Sequence, residues 1–118
     1  MASAESLPEK FDFPLEKAEY LFSATGKPGQ GGDKQRFWTG IMGFRSSTAI
    51  RTAILSAVTP EDLVYQSQNE YGKIYRAYLL LNSPSGLVRR VRTVWIVESG
   101  TSAARFVTAV PDRAGGLS

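Results

Sequence analysis

Neither histidine nor cysteine occurs anywhere in the sequence. The absence of cysteine excludes a disulfide scaffold, thiol catalysis and thiolate-ligated zinc. The absence of histidine excludes a Ser-His-Asp triad, imidazole acid–base chemistry and histidine-held metals. Acidic metal clusters are missing too: Glu61 and Asp62 are adjacent but have no third ligand near them, so neither a metal nor another cofactor is expected. No paired carboxylates stand out for glycoside hydrolysis. No run approaches the roughly 20 apolar residues that span a bilayer. The opening residues Met1-Ala2-Ser3-Ala4-Glu5-Ser6 have neither a basic start nor an apolar stretch, so no secretory leader and no membrane partner are expected, and the cytoplasm is the expected compartment.

What remains is a chain of 118 residues with a formal net charge of +3, a size suited to one domain. The charge is unevenly placed. Residues 1–33 carry three basic and six acidic side chains, whereas residues 34–118 carry 11 basic and five acidic ones. A basic remainder behind an acidic first third points to a polyanion as one partner. An ordinary solvated surface accounts for the same numbers.

Residues 1–13 read as a flexible arm, polar and broken by Pro8, with Phe11 and Phe13 placed to staple it to the body. Pro14 and the acidic Glu16 and Glu19 suit a helix start, and Leu15, Ala18, Leu21 and Phe22 recur at helical spacing, predicting a helix over 14–24. A glycine-rich loop follows, Gly26-Lys27-Pro28-Gly29-Gln30-Gly31-Gly32. Asp33 is the expected cap of a second helix with Phe37, Trp38, Ile41 and Met42 on its apolar face, stopped by Gly43. Ser46 or Ser47 opens a third, carrying Ile50, Ile54, Ala57 and Val58 along one stripe and ended by Pro60.

The period then changes from helix to strand. Strands are expected at 63–65, 74–81, 87–97 and 106–110, with a turn at Ser83-Pro84-Ser85-Gly86 and another at Ser99-Gly100-Thr101-Ser102. Residues 112–118 read as a mobile tail, leaving 14–111 as a single domain. Helices first and hairpin strands after imply an α+β fold, with N-terminal helices packed on one face of a twisted antiparallel sheet.

A symmetric turn at 83–86 would pair Leu80 with Arg89, Tyr78 with Val91, Arg76 with Thr93 and Ile74 with Trp95. The better core row is then Val91, Thr93, Trp95 and Val97 with Ile74, Tyr78 and Leu80. Tyr75, Arg90 and Arg92 fall on the exposed face among aliphatic neighbours, a combination suited to a phosphate-bearing strand. A three-residue turn would exchange the two faces, because a slip of one residue flips every side chain.

Four features carry chemistry, and each has a plainer reading. The glycine-rich loop with Lys27 and Lys34 could cradle an anion at a helix start, or simply connect; it lacks the Gly-Lys-Ser/Thr ending of a P-loop and the strand before a Rossmann fingerprint. Tyr71 and Tyr75, four apart on one strand face, are stacking platforms or half-buried strand residues. Arg89, Arg90 and Arg92 form a phosphate clamp or a charged edge that deters aggregation. Thr93 and Thr108 offer hydroxyl donors near the middle of the sheet.

Asn69-Glu70-Tyr71-Gly72-Lys73-Ile74-Tyr75, Ser83-Pro84-Ser85-Gly86, Val91-Arg92-Thr93-Val94-Trp95-Ile96-Val97 and Arg105-Phe106-Val107-Thr108 together resemble an uncharacterised bacterial domain family. Lys17-Ala18-Glu19-Tyr20-Leu21, Gly32-Asp33-Lys34 and Gly43-Phe44 extend the likeness over about 13–111. Such domains occur alone or at the C-termini of large toxin and phage-associated proteins. Where the pattern often has an aromatic, this chain has Ala109. The arrangement also resembles small ribonuclease toxins, several of which work without histidine through Lys, Arg and Tyr. The resemblance implies an RNA-engaging, metal-independent ribonuclease module. In that reading Lys34 or Tyr75 assists proton transfer, and Arg92 with Arg90 stabilises charge on phosphate. Lys27, Arg36, Tyr71, Arg89 and Arg90 then hold the nucleic acid. The competing expectation is a non-catalytic accessory or immunity-type domain, with the same aromatics and arginines facing a protein partner. The two readings differ in one geometric demand: only the first needs Lys34, Tyr75, Arg90 and Arg92 to converge.

Overall fold

The computed structural model describes residues 8–23 and 36–111. Its elements run β1 (Lys10–Asp12), α1 (Leu15–Ser23), a π-helical turn (Arg36–Ile41), α2 (Ser47–Ala57), a 3₁₀ turn (Pro60–Asp62), then β2 (Val64–Asn69), β3 (Gly72–Asn82), β4 (Val88–Glu98) and β5 (Ala103–Pro111). The strands form a five-stranded sheet in the order β1-β5-β4-β3-β2. The fold is α+β, with helical residues and one sheet face sharing a single core.

Two expectations about the first third change. Lys10–Asp12 pairs in parallel with Ala103–Arg105 of β5, so the end of the expected arm is an edge strand. The cause is aromatic packing. Phe13 is fully buried and stacks on Phe106 with centroids 3.9 Å apart, while Phe11 meets Trp95 edge-on at 5.2 Å. Two phenylalanines spaced by two put both rings on one side of a strand, a signal too short to stand out in the sequence. The Arg51 side chain of α2 adds a hydrogen bond, its Nε donating to the Phe13 carbonyl at 2.6 Å. The second helix, described from Arg36 onward, is a π-helix rather than an α-helix. Its expected cap, Asp33, lies outside the described residues, as do the glycine-rich loop and the tail from 112.

The third helix forms as its pattern requires. Ser46 accepts the Ala49 N–H at 3.0 Å as N-cap, and Ile50 and Ile54 are fully buried. Ala18 and Leu21 of α1 join them beneath Phe37, Trp38 and Met42.

The β2–β3 hairpin turns on Asn69, whose Oδ1 accepts the N–H of Tyr71 at 2.8 Å and of Gly72 at 3.1 Å. Gly72 is obligatory there: a Cβ at that position would lie 2.2 Å from the Val97 carbonyl oxygen. The β3–β4 hairpin departs from the symmetric turn by one residue. Asn82 pairs with Val88, Leu80 with Arg90, Tyr78 with Arg92, Ala77 with Thr93 and Tyr75 with Trp95. The reason lies in the connection. The Ser83 hydroxyl donates to the Leu87 carbonyl at 2.8 Å and accepts the Leu87 N–H at 3.1 Å, so the loop closes over residues 83–87. Ser85 then ties the tip to the π-helical turn, donating from its N–H to Met42 and from its hydroxyl to Ile41. Gly43, at φ 81°, lets the chain pass against Ser85.

That single-residue difference exchanges the two faces of β3. The helix-covered row is Tyr75, Ala77, Leu79 and Leu81 beside Val91, Thr93, Trp95 and Val97. Ile74, Tyr78 and Leu80, expected in the core, point the other way, and Leu80 is 67% exposed.

Candidate functional site on the open sheet face

Alternation along a strand sends every second side chain to the face the helices leave bare. On β3 these are Ile74, Arg76, Tyr78 and Leu80; on β4 they are Arg90, Arg92, Val94 and Ile96. Thr108 and Val110 of β5 continue the face beside Val94 and Arg92. Among the described residues no helix joins a core on this side.

Two guanidinium groups lie over one phenol ring, and a third arginine pairs with it across the strands. The Arg90 Cζ lies 4.7 Å from the centroid of Tyr78 and the Arg76 Cζ 5.9 Å from it, both within cation–π reach. Arg92 is the direct cross-strand partner of Tyr78. Arg76 is half-buried, and its Nε is shielded from water without a hydrogen-bond partner among the described residues. A fourth cation, Arg105, pairs with Glu98 at 3.4 Å at the far end of the face. Both are roughly half exposed, so that pair contributes little to stability.

The convergence that the ribonuclease expectation demands is not met with Tyr75, which lies on the opposite sheet face from Arg90 and Arg92. Arg90 and Arg92 stand together on the open face. Tyr75 does not join them: it is half-buried on the helix side and packs edge-on against Tyr65 at 5.9 Å. Arg89, one residue from Arg90, projects toward the helix side near the hairpin tip. Tyr71 is exposed in the β2–β3 turn, and Arg36 is exposed at the start of the π-helical turn. Lys27 and Lys34 lie outside the described residues. Thr93 is fully buried and bonded within the core, so it offers nothing to a ligand. Arg76 and Tyr78 are the members that sequence reasoning missed. The signal was the Arg-x-Tyr alternation ahead of the turn, readable once the loop closes at Ser83 and Leu87.

The architecture is thus a small α+β domain with helices on one side of the sheet and an arginine-lined face on the other. The chain belongs to the domain of unknown function family DUF6883, whose model matches residues 10–113. No curated protein matches the sequence. A solved structure shares the fold: a chain of the contact-dependent growth inhibition toxin–immunity protein complex from Klebsiella pneumoniae 342. It is 20% identical, with a TM-score of 0.68, over 85% of this chain and 98% of that one. Among the described residues no helix is long and apolar enough to cross a membrane.

Proposed function

We propose that this chain is a toxin-type module that engages RNA on the open face of its sheet and cleaves it by transesterification. The observation that carries the reading is the Arg76 and Arg90 guanidinium groups over the Tyr78 ring, with Arg92 as its cross-strand partner on the same face. Guanidinium forks match phosphate oxygens, and Arg90 and Arg92 are both exposed on this face. The shared fold with a chain from a toxin–immunity complex is in keeping with a toxin-type or an immunity-type module.

The chemistry follows from the groups present. The ribose 2′-oxygen attacks the adjacent phosphorus and loses its proton to water. Arg76 and Arg92 neutralise the charge growing on the non-bridging oxygens. The bond to the 5′-oxygen breaks, and the Tyr78 hydroxyl gives that oxygen a proton and regains one from water. The products are a 2′,3′-cyclic phosphate and a 5′-hydroxyl end. Incubating purified protein with transfer RNA or total RNA tests the proposal. Fragments bearing cyclic phosphate ends, lost in Arg92→Ala, support it; intact RNA across neutral pH rejects it.

A second reading, a non-catalytic immunity-type domain, draws on the apolar side chains around the arginines. Leu80, Val88 and Val64 are 67%, 53% and 46% exposed, as a protein-binding face would be. Stoichiometric co-purification with a protein, without salt-dependent RNA binding, favours this reading over the first.

A further inference from the structure

We infer that the open face selects unpaired, single-stranded RNA over duplex, with Tyr78, its Arg90 cover and Leu80 as base-stacking steps; this rests on the RNA reading above. The steps lie in line on one strand. Tyr78 and Leu80 are alternate residues of β3, which sets them roughly 6.7 Å apart. Their cross-strand partners on β4 are Arg92 and Arg90, about 5 Å to the side. A row of apolar and aromatic surface thus runs beside a row of cations.

The two rows ask different things of a ligand. Any nucleic acid satisfies the cations, since every strand carries phosphate. Only an unpaired strand satisfies the apolar row. Leu80 is 67% exposed and Tyr78 37% exposed beneath Arg90, and within a nucleic acid only the flat face of an unpaired base can cover Leu80 and the Arg90 plane. In an A-form duplex those faces are hidden in the stack, and the helix offers only phosphates, 2′-hydroxyls and base edges. A duplex on this face would leave Leu80 and the Tyr78–Arg90 stack wet. Arg90 strengthens the effect. Its guanidinium already rests over the Tyr78 ring at 4.7 Å, so a plane suited to stacking on a base is held in place before RNA arrives.

The test is fluorescence anisotropy with the full chain and a labelled 2′-O-methyl RNA of about 12 nucleotides, within the range of single-strand site sizes. The methyl group blocks cleavage, so the signal reports binding alone. The same strand is measured unpaired and annealed to its complement, at two salt concentrations. The unpaired strand is expected to bind roughly ten-fold more tightly than the duplex. Leu80→Ser and Tyr78→Leu are expected to lower affinity for the unpaired strand about ten-fold while leaving the duplex unchanged. Leu80 is largely in solvent, so its substitution reports on binding even if Tyr78→Leu perturbs the strand. Equal affinity for the two forms, or a preference that survives both substitutions, overturns the inference while the RNA reading stands. Absence of salt-dependent binding to either form overturns both.

Discussion

Trp95 and Thr93, two residues apart on β4, are joined in the core by a hydrogen bond from the indole Nε1 to the threonine Oγ1 at 2.8 Å. The hydroxyl in turn donates to the Ala77 carbonyl on β3, also at 2.8 Å. Ala77 is the cross-strand partner of Thr93, so the chain of bonds forms only in the observed register. In the expected register Arg76 would stand there instead. Thr93→Val keeps the shape and removes both bonds, leaving a buried indole N–H unpaired. A loss of about 1–3 kcal/mol is expected, measured by urea denaturation, with Thr93→Ser closer to the parent because it keeps the hydroxyl.

Gly72 supplies the second control on the same pairing. Its backbone passes so close to β4 that an added methyl would strike the Val97 carbonyl. The obstacle is main chain and cannot rotate aside. Gly72→Ala is therefore expected to cost at least about 1–3 kcal/mol. The change should appear as faster amide exchange in β2 and β3 around the turn, where Asn69 otherwise holds the N–H groups of Tyr71 and Gly72.

Neighbouring arginines separate the two faces. Arg90 and Arg92 lie on the open side, whereas Arg89 between them and the turn lies on the other. If phosphate is held by the open face, Arg90→Ala and Arg92→Ala should each lower the slope of log affinity against log salt by about one. Arg89→Ala, an equal change in net charge, should leave that slope near the parent value. A titration of binding against salt for the three variants checks it; equal effects from all three would indicate diffuse attraction to a basic protein.

The helical stripe of α2, the three long strands and the α+β class were legible because each rests on a period repeated over many residues. β1 was not, since three residues carry no period and its strand is anchored by Phe13 on Phe106 and Phe11 on Trp95. The site was half legible. Arg90 and Arg92 stand out as a cluster, yet which tyrosine joins them depends on one residue of loop length. Ser83 decides it by bonding Leu87, a side-chain-to-backbone contact that no hydrophobic pattern records. The slip moved Tyr75 to the helix side and brought Tyr78 out, and left the fold class untouched because both faces are half apolar.

The exchange of tyrosines is itself testable. Tyr78→Phe removes the hydroxyl proposed to protonate the departing 5′-oxygen and keeps a ring beneath Arg90. Affinity for a non-cleavable RNA should change little, while the single-turnover cleavage rate should fall by about a hundred-fold, the lower end of what a positioned acid contributes. Tyr75→Phe should leave the rate at the parent level, because that ring packs against Tyr65 on the opposite side of the sheet. The reverse pattern, with Tyr75→Phe inactive and Tyr78→Phe normal, would place the reaction on the helix side and remove the open face from the chemistry. A loss of binding in Tyr78→Phe would instead assign the hydroxyl to holding RNA rather than to proton transfer.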